Sequence, residues 1–480
     1  MIRRWETVIG VEVHVQLRTR HKLFCRDVAR FGDAPNTNVC PVCMGLPGAL
    51  PVLNTEAVTL ALQAAVALAC DVHAYSVWER KSYFYPDLPK GYQITQFEQP
   101  IATGGVLRFD SEGEHREVRI RRVHMEEDSG KLIHDRIPGA TAVDLNRAGT
   151  PLVEVVTEPD LRTPAEVRAF LSTLKQVLEY SEVSDCNMEE GSLRADANIS
   201  LREVGASALG TKTEIKNVNS FSGVEKALHL EIERQTEVLE SGGQVRSESL
   251  LWNDHEETLR SMRSKGDSED YRYFPDPDLT PLVLAPSLLT WANIAVPELP
   301  RDRRARFEGS YRLTAYESGV LTQTREGADF FEDVVGQTGD AGTIAKWIMG
   351  PVQALMKARS ETPRSFALRP EALGQLIGLV ADGTISDVVA RGLLETMAAS
   401  GRSAVDVVEA SGLQQIRDDS VVTGWVEGVM TSFPIEVQRF RKGEVRLLGF
   451  LVGQVMKSSQ GKADPRQVNE VLQFRLNGSD

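Results

Sequence analysis

Apolar and polar residues alternate with a period of two over Val8–Leu17. Val11, Val13, Val15 and Leu17 fall on one face and Glu12, His14 and Gln16 on the other, as in a strand with one covered face. The same period recurs at Val118–Met125 and at Leu193–Leu201, where Leu193, Ala195, Ala197, Ile199 and Leu201 share the inward side. A further strand is expected near Val106–Phe109. Helical signals punctuate this pattern. A helix is predicted from the cap Asn54 to about Cys70, and Thr163-Pro-Ala-Glu166 reads as a capping box with proline at the first helical position, opening a helix to about Tyr180. Another runs from about Ser222 and stops at Gly242-Gly243. The Tyr/Pro/Gly-rich stretch Lys81–Gln96 reads as a loop.

Strand patterns vanish after the proline-rich stretch Phe274–Pro281 and Pro297-Glu-Leu-Pro300. A boundary near 295 and a second break near Ser400-Gly401-Arg402-Ser403 divide the chain into 1–295, 296–400 and 401–480. The last helices are expected at Glu444–Ser459, closed by Gly461, and at Pro465–Leu476, capped by Asp464. The fold class is α+β: an antiparallel-sheet part followed by an all-α linker domain and a small all-α tail.

The 480 residues exceed what one core organises, in keeping with several domains. No apolar run is long enough to span a bilayer, and the first residues lead into a strand rather than a signal peptide, so no membrane partner and a cytoplasmic location are expected. Five cysteines, of which only Cys25, Cys40 and Cys43 cluster, are poor material for a disulfide framework. The net charge of −14 is uneven. Residues 301–480 hold 22 Lys+Arg against 23 Asp+Glu, which leaves 32 against 45, or −13, in the first 300. An acidic front part argues against a long basic groove for nucleic acid there and suits divalent cations better; RNA contacts would be local patches in the near-neutral rear.

Candidate chemistry lies in carboxylates placed where a sheet should not want them. Glu154 in Pro151-Leu-Val-Glu-Val-Val156 is surrounded by apolar residues on both strand faces, and a buried lone carboxylate is costly without a cation or a strong hydrogen-bond partner. In Val123-His-Met-Glu-Glu-Asp128, the phase of Val123 and Met125 puts Glu127 on the apolar face and His124, Glu126 and Asp128 opposite. Each acid alone is as readily read as half of a structural ion pair. Together the picture changes. Glu12 and His14 lie about 7 Å apart on one strand face. Asp196 shares its face with Arg194 and Asn198, and Lys212, Glu214 and Lys216 line another. Acids beside Lys and Arg on several strands are what phosphoryl transfer needs: oxygen ligands for Mg²⁺ and cations for phosphate. Walker A, Gly-x-Gly-x-x-Gly and Gly-x-Ser-x-Gly signatures are absent, which leaves a P-loop kinase and a serine hydrolase without support. Cys25 with Cys40-Pro-Val-Cys43 supplies three of the four ligands of a closed zinc site.

Several long blocks carry a resemblance. Trp5–His14, Lys81–Gln93, His124–Lys131, Val143–Leu152, Asn187–Arg194, Glu214–Asn217, Asp270–Pro275 and Gly449–Lys457 resemble, in order and over essentially the whole chain, the B subunits of bacterial tRNA-dependent amidotransferases. The resemblance implies a catalytic cradle of sheet and helices, a helical linker and a tRNA-contacting tail. It implies a heterotrimer in which an A subunit releases ammonia from glutamine and a small C subunit wraps the interface of the other two. It also implies activation by ATP and Mg²⁺ of mischarged Glu-tRNA(Gln), Asp-tRNA(Asn) or both. The family's metal ligands match Glu12, His14, Glu127, Glu154 and Asp196, with Glu127 and Glu154 at the catalytic centre. Arg147, Arg194, Lys81 and Lys216 are candidates, from residue type and neighbourhood, for phosphate or carboxylate contacts. Family members with a zinc loop carry Cys-x-Cys before Cys-x-x-Cys. Here Asp27 stands in the second place, so a zinc knuckle and a metal-free loop with three free thiols both stay open. Two other classes compete: a non-catalytic RNA-binding scaffold and a Mg²⁺-dependent phosphohydrolase.

Overall fold

The computed structural model describes residues 4–264, 271–411, 418–459 and 462–478; Asp270 and Gly461 lie outside them. The chain divides into two compact units, Met1–Arg301 and Asp302–Asp480.

In the first unit β1 (Trp5–Gln16) is followed by α1 (Thr55–Ala67), whose Asn54 cap accepts a hydrogen bond from the Glu56 amide at 3.0 Å. β2 (Asp71–Val72), β3 (Tyr75–Ser76), β4 (Glu79–Ser82) and β5 (Tyr92–Thr95) lead into the long pair β6 (Ala102–Ser111) and β7 (Glu114–Glu127). A hairpin, β8 (Lys131–Ile137) with β9 (Ala140–Asp144), precedes β10 (Pro151–Thr157) and α2 (Pro164–Tyr180). Then come β11 (Leu193–Glu203), β12 (Thr213–Val218), α3 (Phe221–Glu240), β13 (Glu248–Asn253) and β14 (Thr258–Ser264). The unit ends with β15 (Phe274–Pro275), β16 (Leu282–Val283) and α4 (Pro286–Ala295).

Among the described residues twelve strands join one sheet, in the path β14-β13-β12-β11-β1-β10-β7-β5-β4-β15, with β6 and β2 branching from β7. Its pairings are antiparallel except one: β12 runs parallel to β13, with Glu214 opposite Ser249. A parallel pair needs a long crossover, and α3 supplies it. The stretch Lys81–Gln96, expected as a loop, contains the end of β4 and all of β5, paired through Lys81–Gln93 and Ser82–Tyr92. Four-residue strands are too short to show a period. The capping box also closes differently. Thr163 Oγ1 accepts from the Glu166 amide at 3.1 Å, but the Glu166 carboxylate reaches back to the Arg162 amide at 2.7 Å, one residue early.

One face of the sheet is the core. Val11, Val13, Val15, Val123, Met125, Val153, Val155, Ala195 and Ala197 are all buried there, with side chains of α1, α2 and α3 in the same cluster. Each fully buried valine is worth about 1.5–3 kcal/mol over exposure. A one-residue slip of any strand would turn its set to water, so the register is fixed. The alternate residues of these strands therefore lie on the opposite face, which carries the polar chemistry.

The elements of the second unit, among its described residues, are all helices. It holds two separate apolar clusters, one from Phe307 to Val408 and one from Val422 to Leu476. Gly401, at φ +66°, ends the helix Asp387–Ser400 in the left-handed conformation that glycine adopts freely. The next helix, Ala404–Ser411, contributes Val407 and Val408 to the first cluster, so the gap between the two cores falls after Ser411.

Candidate active site

Four adjacent strands bring one residue each into a row across the polar face. β1 lies between β11 and β10, and pairs His14 with Arg194 on one side and Glu154 on the other. β10 in turn pairs Glu154 with His124 on β7. The row reads His124, Glu154, His14, Arg194. A step along the strands in one direction lie Glu126 and Gln16; in the other lie Glu12 and Asp196, themselves paired by register.

The centre of the row is a tight cluster. The Nε2 of His14 is 3.2 Å from a Glu126 oxygen and 3.6 Å from a Glu154 oxygen, and His124 Nε2 is 2.9 Å from Glu154. Ligand atoms of His14, Glu126 and Glu154 all lie within 4.8 Å of one another. Burial works against the charged form of Glu154, yet His124 and His14 outweigh it and hold its carboxyl well below the usual carboxylate range. Burial likewise opposes the imidazolium of His14, but Glu154 and Glu126 keep its pKa up at about 9. Glu12 shows the reverse. Burial, then the negative charges of Glu154, Glu214 and Asp196, push its pKa up, while Asn198 donates to it at 3.1 Å. Burial and the neighbouring acids thus both work against a charge on Glu12, which a bound cation would favour. The residues fit a divalent cation: carboxylate oxygens suit Mg²⁺, and an imidazole nitrogen beside them suits Mn²⁺ as well. His124 Nδ1 and Arg194 Nε are buried with no hydrogen-bond partner among the described residues.

Cations flank the cluster on three sides. Arg194 donates to Asp128 at 2.9 Å, and Arg147 lies 3.5 Å from the same carboxylate. These two guanidiniums overcome the burial of Asp128 and hold its carboxyl below the ordinary value. Arg147 also donates to the carbonyls of Ser129 and Gly130, at 3.0 and 2.7 Å, which ties its guanidinium to the loop. Lys216 bridges Asp196 at 3.0 Å and Glu214 at 2.8 Å. The ammonium of Lys81 lies 4.9 Å from the ring centre of Tyr271, forms no ion pair among the described residues, and helps hold Glu154 ionised.

Glu127 is not part of this cluster. Its carboxylate pairs with Lys90 and accepts from the Ile94 amide at 2.9 Å, and it lines a separate cavity of about 190 Å³ with Arg80, Cys43 and Asp278. The strand phase read from sequence holds, since Glu126 shares the face of His124 and Asp128. The expected ligand, however, is the wrong member of the Glu-Glu pair for reaching His14. Glu126, His124 and Asp128 were visible as one polar parity; Lys90 carried no sequence signal.

The cysteine loop folds into a second donor set. The side-chain ligand atoms of Cys25, Asp27, Cys40 and Cys43 lie within 4.8 Å of one another. Cys43 donates to an Asp27 oxygen at 3.3 Å and Cys25 to the same oxygen at 3.6 Å. A hydrogen bond from Cys25, assisted by the Cys40 amide and the fully buried Lys22 ammonium 3.6 Å away, lowers Cys43 to about 6; Cys25 and Cys40 are pushed up. Three sulfurs and one carboxylate at these spacings fit a tetrahedral zinc, with Asp27, which the sequence offers beside His21 as a fourth ligand, as the one the fold brings in.

Residues 7–290 match a family model described as the GatB/GatE catalytic domain, and residues 329–476 match one described as the GatB domain. The chain is 47% identical over 475 residues to the aspartyl/glutamyl-tRNA(Asn/Gln) amidotransferase B subunit of Pelodictyon phaeoclathratiforme, covering 99% of this chain and 100% of that protein. It is 47% identical over 474 residues to the protein of the same description from Moorella thermoacetica, covering 98% and 100%. With that from Halorhodospira halophila the identity is 47% over 478 residues, covering 99% and 100%.

Proposed function

The chain belongs to the family of amidotransferase B subunits, and from that premise we propose that its cradle phosphorylates the side-chain carboxylate of a mischarged aminoacyl-tRNA. The family amidates mischarged Glu-tRNA(Gln) and Asp-tRNA(Asn), forming a carbon–nitrogen bond, and works beside partner subunits. The observation that carries the finer reading is the His14–Glu126–Glu154 cluster with its flanking cations.

A carboxylate oxygen is a poor leaving group, so the acid must be activated before ammonia can displace it. An oxygen of the substrate carboxylate attacks the terminal phosphorus of ATP, the bond to the bridging oxygen breaks, and ADP leaves. Ammonia then adds to the acyl carbon, phosphate departs, and loss of a proton gives the amide. When bound, Mg²⁺ neutralises phosphate charge and aligns the in-line transfer. Glu126, Glu154 and His14 would hold it, with Glu12 and Asp196 one step along the strands; Glu127 is left out of this set. Lys81, which forms no ion pair among the described residues, would meet the transferred phosphate. Lys216 and Arg194 shape the field from the sides, and Arg147 holds the Asp128–Gly130 turn. The ammonia comes from the glutaminase, or A, subunit; the small C subunit makes up the heterotrimer, and the helical tail contacts tRNA.

The test is ATP consumption by the assembled complex with and without mischarged tRNA. Consumption that depends on Glu-tRNA(Gln) or Asp-tRNA(Asn), and that Glu154→Gln abolishes while glutaminase activity survives, supports the reading. Consumption without tRNA would point to a phosphohydrolase, and none at all to a scaffold.

A further inference from the structure

Three of the chain's five thiols meet in the loop between β1 and α1, beside a lysine that phosphoryl transfer does not use. Lys22 is fully buried, which is rare for a lysine without a partner of opposite charge. Among the described residues it pairs with no carboxylate. Its ammonium donates to the Asn38 carbonyl at 2.6 Å and to the Leu145 carbonyl at 3.5 Å. Of the partners it reaches there, only the Cys43 sulfur, at 3.6 Å, can carry a negative charge.

Cys43 is thereby set apart from an ordinary buried thiol. A cation beside a sulfur favours its anionic form, which is the nucleophile. The Cys40 amide donates to the same sulfur at 3.2 Å. Cys25, only half-buried, lies against it, the two sulfurs sharing one Asp27 oxygen at 3.6 and 3.3 Å. Both line the cavity of about 190 Å³ that also meets Glu127, which gives a molecule of a few atoms room beside the two sulfurs. Asp27 makes the group lopsided. Oxidation of two thiols would leave a single sulfur and a carboxylate, half of the four donors that a closed zinc site needs.

We propose that this loop is an oxidation site, in which hydrogen peroxide joins Cys25 and Cys43 in a disulfide and the loop gives up its zinc. The Cys43 sulfur attacks one peroxide oxygen; the S–O bond forms, the O–O bond breaks, and hydroxide leaves to become water. The Cys25 sulfur then displaces the hydroxyl group from Cys43, giving the disulfide and a second water. Two sulfurs lose two electrons, and the peroxide gains them. The change reaches past the loop. A neutral disulfide no longer balances the Lys22 ammonium, and a buried charge stripped of its partner is strongly destabilising. Lys22 ties the loop to the Leu145 carbonyl, and the Leu23 amide donates to the Gly149 carbonyl at 2.8 Å. Oxidation therefore loosens the 145–150 turn that carries Arg147, and amide formation falls with it.

The test treats the assembled, zinc-loaded complex with a small excess of hydrogen peroxide. Peptide mapping follows the disulfide, a chromogenic chelator follows zinc, and transamidation is assayed on the same samples. A Cys25–Cys43 disulfide should form as one equivalent of zinc is released, and amide formation should be lost in step. Dithiothreitol with added zinc should restore both. Cys40→Ser should still form the disulfide, whereas Lys22→Met, which keeps the bulk of the side chain without its charge, should form it more slowly. No disulfide, or one joining Cys40 to Cys43, would overturn the proposal, and so would oxidation of Lys22→Met at the wild-type rate. Zinc retained by the oxidised protein, or amide formation untouched by oxidation, would overturn it too. In protein that purifies without zinc, the disulfide and its rate in Lys22→Met decide alone.

Discussion

Glu126 and Glu127 are neighbours on one strand whose carboxylates serve opposite faces: Glu126 lies 3.2 Å from His14 Nε2, whereas Glu127 pairs with Lys90 and accepts from the Ile94 amide. Side chains of adjacent strand residues point to opposite sides, so only one can join a given cluster. Glu126→Gln should weaken metal binding at least tenfold and abolish amide formation. Glu127→Gln should leave metal affinity unchanged. Titration with Mn²⁺, followed by electron paramagnetic resonance, separates the two; equal losses would remove Glu126 from the ligand set.

The cysteine loop should hold one zinc per chain. The sequence left its occupancy open because Asp27 replaces a cysteine; the folded loop brings the Asp27 carboxylate within 3.6 Å of Cys25 Sγ and Cys43 Sγ. Elemental analysis of purified protein should find one equivalent of zinc, and Asp27→Ala should lose most of it on mild chelation. A wild-type zinc content well below one would favour three free thiols.

His14 gives the metal-free protein a pH signature. Its folded pKa, about 9, stands above the unfolded value of 6.5. The stability it contributes is therefore fully present below pH 6.5 and is lost as pH rises through 9, at most on the order of 3 kcal/mol. Thermal unfolding under chelation should show the decline between these values, and His14→Gln should flatten it. Bound metal displaces the proton, so metal affinity should climb over the same window.

Asp128 is buried against Arg194 and Arg147. Arg194→Met removes its closest partner and leaves a buried charge with weaker compensation, a loss of about 3 kcal/mol in stability. The companion Asp128→Asn, Arg194→Met pair should recover part of it. Denaturant unfolding of the two variants measures the difference.

Deleting the tail after Ser411, where the gap between the two cores falls, should weaken tRNA binding and flatten its salt dependence while sparing ATP binding. A cut at 401 would instead strip Val407 and Val408 from the middle core. Affinities at two salt concentrations decide; equal values and equal slopes would show that the tail does not touch tRNA.

Much of this was readable from residues in order. The alternation of β1 and β11 determined which side Glu12, His14 and Asp196 occupy, and Asn54 and Asp464 cap the helices expected of them. Long elements average out local exceptions. Short ones do not, which is why β4 and β5 stayed hidden in a Tyr/Pro/Gly-rich stretch. Parity could place Glu126 beside His124, but choosing between two adjacent glutamates required the partners that β10 and β1 bring from elsewhere. Arg147 was legible as a cation and not as one already bound to carbonyls, because backbone acceptors leave no mark in a sequence.

The row His124–Glu154–His14–Arg194 draws its members from four strands that are far apart in the chain. During synthesis, His14 emerges first and Arg194 about 180 residues later, some ten seconds or more at ordinary elongation rates. An incomplete chain on the ribosome can carry every ligand up to Glu154 and still lack the strand that walls β1 on its other side. Until β11 has docked, one edge of β1 is open and the row lacks Arg194, so it is complete only once the last of its four strands has been made.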